Sequence, residues 1–190
     1  MKKSRHLQKL NVVTGVDTPD GTPRAEITLE ELSKDDPTSY VINEHIYLHN
    51  RYFIKESDRA VGVLAPAYLD EVLTRAIRAK LLPTTSTANL VSSDRGPLAS
   101  FASKIDLARS LGLIEEITWK NLHVLRKIRN DFAHDVDLHD FSHDTIIDKC
   151  RNLIFPADQK IADGKDARRA FTTCVWLISW ELSKVAPAGT

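Results

Sequence analysis

The sequence predicts an all-α protein, a helical bundle of about six to seven helices. Apolar residues recur at steps of three and four through most of the chain, the period of an amphipathic helix. Ser, Thr, Asp, Gly and Pro stand where such helices would begin or end. With 190 residues, of which 42% are hydrophobic, one domain with a sizeable core is expected. This domain is predicted to span residues 29–187, after a flexible tail over residues 1–28 that is rich in Gly, Pro and polar residues.

The overall charge excludes a general attraction to polyanions. Lys plus Arg and Asp plus Glu are equal at 26 each, so a site for nucleic acid would have to be local. No secretory leader and no apolar run of about 18 residues is recognisable, which predicts a cytoplasmic protein without membrane contact. Cys150 and Cys174 are isolated, without the spacing of metal ligands, and are predicted to be free buried thiols.

The first half of the domain is predicted to contain two main helical stretches. Thr28 and Glu31 form a capping box that would open a short helix. Residues 40–82 are helical in pattern, with a break at which Ser57 or Asp58 caps a second part. Pro66 is expected to kink that second part without ending it. Its predicted buried stripe consists of Val61, Leu64, Ala65, Tyr68, Val72, Ala76 and Ile77.

Four further features indicate where helices begin and end in the rest of the domain. Residues 83–95 are rich in Ser and Thr and predict a loop, with Pro97 as the first residue of the next helix. Gly112 suits the left-handed position that closes this helix. Thr118 is the predicted cap of the helix that follows.

Two last helices complete the predicted bundle. Asp140 or Ser142 would cap the first of them, and Asp166 would open the second. Trp176 and Trp180, four residues apart in the last helix, are predicted core residues.

The candidate functional centre is the run RNDFAH at residues 129–134. Asn130 and His134 are four residues apart and share a helix face, whereas Arg129 lies about 140° around the helix from His134. Two copies packed across a two-fold axis would let the arginine of one face the histidine of the other. The motif therefore predicts a homodimer.

These residue types suit metal-independent cleavage of RNA, in which a ribose hydroxyl attacks the adjacent phosphate. Arg129 would bind the phosphate, His134 would transfer a proton, and Asn130 would orient them. Arg126 and Lys127 could hold the RNA phosphates weakly. No cofactor or metal is required.

Three other interpretations give the polar residues in and near the motif no catalytic role. The basic residues near the motif, including Lys104 and Arg109, could belong to solvated helix faces instead of a cleft for RNA. His134 could interact only with the helix dipole. The acidic stretch with His139 and His143 could suggest a metal, but it lacks a known zinc spacing and predicts a loop that enters a helix.

The string LRKIRNDFAH at residues 125–134 resembles the signature of HEPN domains, helical modules found in prokaryotic RNases, toxin–antitoxin pairs and defence systems. The resemblance implies that Arg129, Asn130 and His134 form an RNase active site at a dimer interface. It also implies a toxin or defence setting, in which any antitoxin would be a separate protein.

A longer stretch, roughly residues 40–155, resembles the mannitol operon repressor family. The resemblance is carried by GPLASFASKIDLARSLGLI at residues 96–114 and by HDVDLHDFSHDTI at residues 134–146. It implies a helical, non-enzymatic transcriptional regulator that acts through protein–protein contacts. Members of that family often lack the motif arginine, whereas this chain retains Arg129 and His134. Three hypotheses follow: an RNase, a regulator, or a motif that only caps and packs the dimer.

Overall fold

The structure is a computed structural model that describes residues 11–13, 26–28, 56–91, 96–138, 140–155 and 161–185. The chain forms two compact units, Met1–Leu48 and His49–Thr190. In the first unit, strand β1 (Asn11–Val13) pairs antiparallel with β2 (Glu26–Thr28). These strands are not predicted from the sequence, because three residues are too few to show an alternating pattern. The helix predicted after Thr28, and the rest of the predicted tail, lie outside the described residues.

Within its described residues, the second unit is all-helical and confirms the predicted helical bundle. Its six helices are α1 (Asp58–Lys80), α2 (Thr85–Leu90), α3 (Phe101–Ser110), α4 (Glu116–His134), α5 (Asp144–Cys150) and α6 (Gly164–Ser183). Helix α1 packs against α3, α4 and α6, and α5 packs against α4 and α6. None of the described helices is long and apolar enough to cross a membrane.

Helix α1 begins as the sequence predicts. The Ser57 side chain accepts a hydrogen bond from the Ala60 backbone N–H at 3.3 Å, and the helix continues through Pro66. The predicted stripe is buried except at two positions: Tyr68 is half-buried, and Leu64 is 46% exposed. Leu64 lies about 100° around the helix from its buried neighbour Ala65, so the stripe is narrower than the spacing pattern implied.

The close approach of α1 and α4 depends on Gly62. A Cβ atom at this position would overlap the ring of Phe132, which is fully buried. The absence of a side chain therefore lets that ring lie directly against the backbone of α1. From Phe132 a row of aromatic contacts continues to Phe141 and then to Phe171 of α6, with ring centroids 5.1 Å apart at each step.

Residues 83–95 were predicted to form a loop, and this prediction is wrong because they contain α2. Thr84 caps α2 by accepting a hydrogen bond from the Thr87 N–H at 3.2 Å. The Thr87 hydroxyl donates to the Leu82 carbonyl at 2.6 Å. Ser and Thr are typical of turns and of helix caps alike, and here they cap a helix that contains no buried residue.

The predicted starts of α3 and α4 are also corrected. Pro97 precedes α3, whose cap is Ser100, with its side chain 3.0 Å from the Ser103 N–H. Thr118 does not cap α4: it is buried inside the helix and donates to Glu181 of α6 at 2.7 Å. Gly112 has the predicted left-handed conformation, with φ 68°.

Helices α5 and α6 each begin within a turn of the predicted position. His143, and neither Asp140 nor Ser142, is the residue before α5. Asp163, one turn before Asp166, caps α6 by accepting from the Asp166 N–H at 3.0 Å. Neighbouring candidates for a cap differ by about 1 kcal/mol, so contacts elsewhere in the fold can choose between them.

The cysteines and tryptophans of α5 and α6 differ in how well they were predicted. Cys150 and Cys174 are free and buried, as expected. Burial raises the pKa of the Cys150 thiol to about 12 and also raises that of Cys174. Trp176 and Trp180 were predicted as core residues, but both are only half-buried because their face of α6 points away from the aromatic row.

The contact between Gly62 and Phe132 can be tested by substitution. Gly62→Ala should lower the free energy of unfolding by about 1–3 kcal/mol, since overpacking outweighs the gain in helix propensity. Urea denaturation measures this change. Ala67→Ser, at an exposed site of the same helix, is the control and should stay within about 0.5 kcal/mol of the parent. Equal stability of the two variants would contradict the proposed close packing.

Candidate functional site

Arg129, Asn130 and His134 lie in the last two turns of α4. The Arg129 guanidinium donates a hydrogen bond to the Asn130 side-chain oxygen at 3.2 Å, and both residues are half-buried. His134 is the last residue of the helix and is exposed. Its imidazole has no hydrogen bond or ion pair with the described residues. The structure therefore joins Arg129 to Asn130 but not to His134, in keeping with their different helix faces.

The inner face of α4 holds the motif helix in place. Its apolar residues, among them Leu125, Ile128 and Phe132, are fully buried. On the flank, Asp131 forms an ion pair with Lys149 of α5. The backbone that carries the motif is therefore fixed by the core and by α5 together.

The chain that follows His134 is tied to the start of α1. The Arg59 guanidinium donates to the carbonyl oxygens of Val136 and Leu138 at 3.3 and 3.1 Å. Asp58 accepts a hydrogen bond from the Phe141 N–H at 2.9 Å and forms an ion pair with Arg168 of α6. These contacts join residues that are at least 77 positions apart in sequence, so Val136, Leu138 and Phe141 are held by tertiary contacts.

The surroundings of His134 are acidic. The exposed carboxylates of Asp135, Asp137, Asp140 and Asp144 follow it, and none has an ion-pair partner among the described residues. The Asp135 and Asp140 side chains accept hydrogen bonds from backbone N–H groups two residues ahead. His139 lies outside the described residues, which contain no group of three or more His, Cys, Asp or Glu side chains that could hold a metal ion. A phosphate chain that approached His134 would meet these negative charges.

The predicted phosphate ligands are partly engaged elsewhere. Arg126 is half-buried, and its Nε atom is buried without a hydrogen-bond partner among the described residues. Lys127 is exposed. Lys104 is buried and pairs with Asp70 of α1 at 2.8 Å. The structure thus leaves Lys127 as the freely exposed cation of the predicted pair.

Arg109 is also held within the fold. Its guanidinium donates to the Ile114 carbonyl at 3.0 Å and lies 3.8 Å from the Glu115 carboxylate. These contacts stabilise the turn between α3 and α4. They favour the structural interpretation of this residue over a role in a cleft for RNA.

A polar cluster between α3 and α4 was missed in the sequence. One Asp106 oxygen accepts a hydrogen bond from the Trp119 indole at 2.9 Å and lies 3.1 Å from His123 Nε2. The Trp119 and His123 rings meet edge to face, with centroids 4.8 Å apart. The indole hydrogen bond is the main cause that lowers the pKa of Asp106. The spacing of Trp119 and His123, four apart on one helix, was the only sequence signal for this cluster.

Comparison with known proteins identifies the fold. No family model matches the chain, and no curated protein is significantly similar to it. Among solved structures, it is similar to the mannitol operon repressor MtlR in the MtlR–HPr complex from Escherichia coli. The TM-score is 0.60 at 17% identity, over 76% of this chain and 99% of that chain. The fold is therefore MtlR-like, which agrees with the resemblance seen at residues 40–155; the HEPN resemblance stays a prediction.

The Arg59 contacts should order the chain after His134. The substitution Arg59→Met keeps the aliphatic stem of the side chain but removes its two hydrogen bonds. We expect the free energy of unfolding to fall by about 1–2 kcal/mol. Hydrogen exchange should show the Phe141 amide exchanging about tenfold faster, the equivalent of about 1.4 kcal/mol.

Arg169→Met is the matched control. Arg169 is exposed and, within the described part of the chain, pairs only with Asp166 one turn away, so its loss should change stability by less than about 0.5 kcal/mol. Unchanged exchange at Phe141 in Arg59→Met would show that the two hydrogen bonds do not order this segment.

Proposed function

We propose that this protein is a non-enzymatic regulator of the mannitol-repressor type, which acts by binding another protein. The observation that supports the proposal is the MtlR-like fold. The structural similarity covers 99% of the compared chain, which comes from the MtlR–HPr complex. A partner related to HPr is the first candidate, and the cytoplasm is the expected compartment.

The charges around the motif support a protein partner over RNA. The carboxylates of Asp135, Asp137 and Asp140 are exposed and unpaired among the described residues. A phosphate about 4 Å from one carboxylate is repelled by about 1 kcal/mol in water, and more in a partly buried site. Arg126, which could offset this repulsion, is half-buried. A protein surface with lysines or arginines would instead be attracted.

The second candidate is the metal-independent HEPN-type RNase. The observation that favours it is the Arg129–Asn130 hydrogen bond beside an exposed imidazole at His134. Arg129 and His134 face about 140° apart on one helix, so the site would require a second copy of the chain. A homodimer would then bring one arginine to the histidine of the other, with a separate protein as antitoxin.

The regulator proposal is tested by calorimetric titration with Escherichia coli HPr. We expect saturable binding with a dissociation constant below about 1 mM, the equivalent of about 4 kcal/mol. Hen lysozyme, a basic protein without a related role, controls for non-specific charge attraction. Equal heats with HPr and lysozyme, or none with either, would count against HPr as a partner.

The RNase candidate is tested with a mixed RNA pool in EDTA. If the regulator proposal is correct, the parent protein does not cleave the RNA. If the RNase candidate holds, the parent cleaves and His134→Ala lowers the rate by about 100-fold or more, since a proton-transfer group is removed. His143→Ala is the control, because His143 is another exposed histidine nearby. Equal losses in both variants would argue against a specific role for His134.

A further inference from the structure

Two leucines are exposed near the C-terminal end of α1, whereas the chain that follows the motif is tied to the N-terminal end of this helix. Leu82 directly follows α1 and its cap and is 77% exposed, and Leu90 at the end of α2 is 39% exposed. The Thr87 hydroxyl bonds to the Leu82 carbonyl at 2.6 Å, which holds α2 beside Leu82. Helix α1 has 23 residues and is about 35 Å long, which separates these leucines from the chain tied to Asp58.

Helix α2 contributes none of its own residues to the core, and only Val91, its C-cap, is buried there. None of its residues is buried, and its hydrogen bonds are made by Thr84 and Thr87 and by the Leu98 N–H, which donates to the Leu90 carbonyl at 3.0 Å. A six-residue helix is marginal by itself. Its caps and the buried Val91 therefore hold Leu90 at the surface.

The same surface is cationic. Arg78 and Lys80, in the last turn of α1, are exposed and have no ion-pair partner among the described residues. Between Glu71 and Asp106 the sequence contains one carboxylate, Asp94, which lies outside the described residues. The helix dipole accounts for cations at a C-terminus, but it does not account for the two exposed leucines.

We propose that this α1–α2 surface, formed by Arg78, Lys80, Leu82 and Leu90, docks an acidic amphipathic segment of a protein partner. Leucines on one face of that segment would cover Leu82 and Leu90, and its carboxylates would pair with Arg78 and Lys80. Burial of a leucine removes apolar surface from water, and cations without an ion-pair partner among the described residues favour an acidic partner. The inference goes beyond the regulator proposal, because it holds whether or not HPr binds elsewhere.

Nucleic acid and membrane fit this surface less well. A phosphate backbone offers cations a partner but gives the two leucines no apolar contact. Membrane binding requires a broad apolar face, whereas the exposed side chains between the leucines include the polar Thr85, Ser86 and Asn89. A protein segment uses both the charge and the apolar groups.

The test is an NMR titration of the full-length protein with a synthetic 16-residue peptide that carries Leu on one helix face and Glu on the other. We expect amide shifts concentrated in residues 78–91. Arg78→Glu with Lys80→Glu, and separately Leu82→Ser with Leu90→Ser, should each raise the dissociation constant at least tenfold. Circular dichroism confirms that the variants are folded.

Matched controls keep the test specific. Leu111→Ser and Lys165→Glu alter an exposed leucine and an exposed lysine elsewhere, and should change the constant less than twofold. The same peptide with Lys in place of Glu should not bind. Absent shifts, equal binding of the Lys peptide, or unaltered binding by the double variants would overturn the proposal. So would tighter binding, through these residues, of a 20-nucleotide RNA or of phosphatidylglycerol vesicles.

Discussion

The contact between Gly62 and Phe132 sets the position of the motif helix. With no side chain at Gly62, the Phe132 ring lies against α1, and the aromatic row through Phe141 extends this contact to Phe171 of α6. The end of α4 is thereby brought to the beginning of α1. Arg59 can then reach the chain that follows His134, so that one close helix contact determines the surroundings of the candidate site.

The overall composition of the chain does not show how its charges are distributed over the structure. Equal numbers of acidic and basic residues predict no net field, yet unpaired carboxylates such as Asp135 and Asp137 gather after the motif. At the other end of α1, Arg78 and Lys80 lie in a stretch without a described carboxylate. The described residues thus place exposed carboxylates in the chain that follows the motif helix and exposed cations at the C-terminal end of α1, a separation of charge that the composition does not show.

The two family resemblances differ in how far they extend. The mannitol-repressor resemblance spans several helices, and the similar fold of MtlR agrees with it at the level of architecture. The HEPN resemblance depends on a few positions in one helix. Arg129 and Asn130 are hydrogen-bonded to each other, but the chemistry that the motif predicts would need His134 of a second copy, and the motif therefore stays a hypothesis about activity.

The sequence by itself determined the helical bundle, a cap at Ser57 or its neighbour Asp58, the left-handed Gly112 and the helix faces of Arg129 and His134. These features depend on interactions within one or two helix turns, which periodicity and residue type encode directly. Only the tertiary structure decided that Leu64 faces outward, that Thr118 is buried against Glu181, and that Asp106 binds Trp119. The contacts of Thr118 and Asp106 join residues 63 and 13 positions apart, and the choice among competing caps and charge partners depends on which helices pack together.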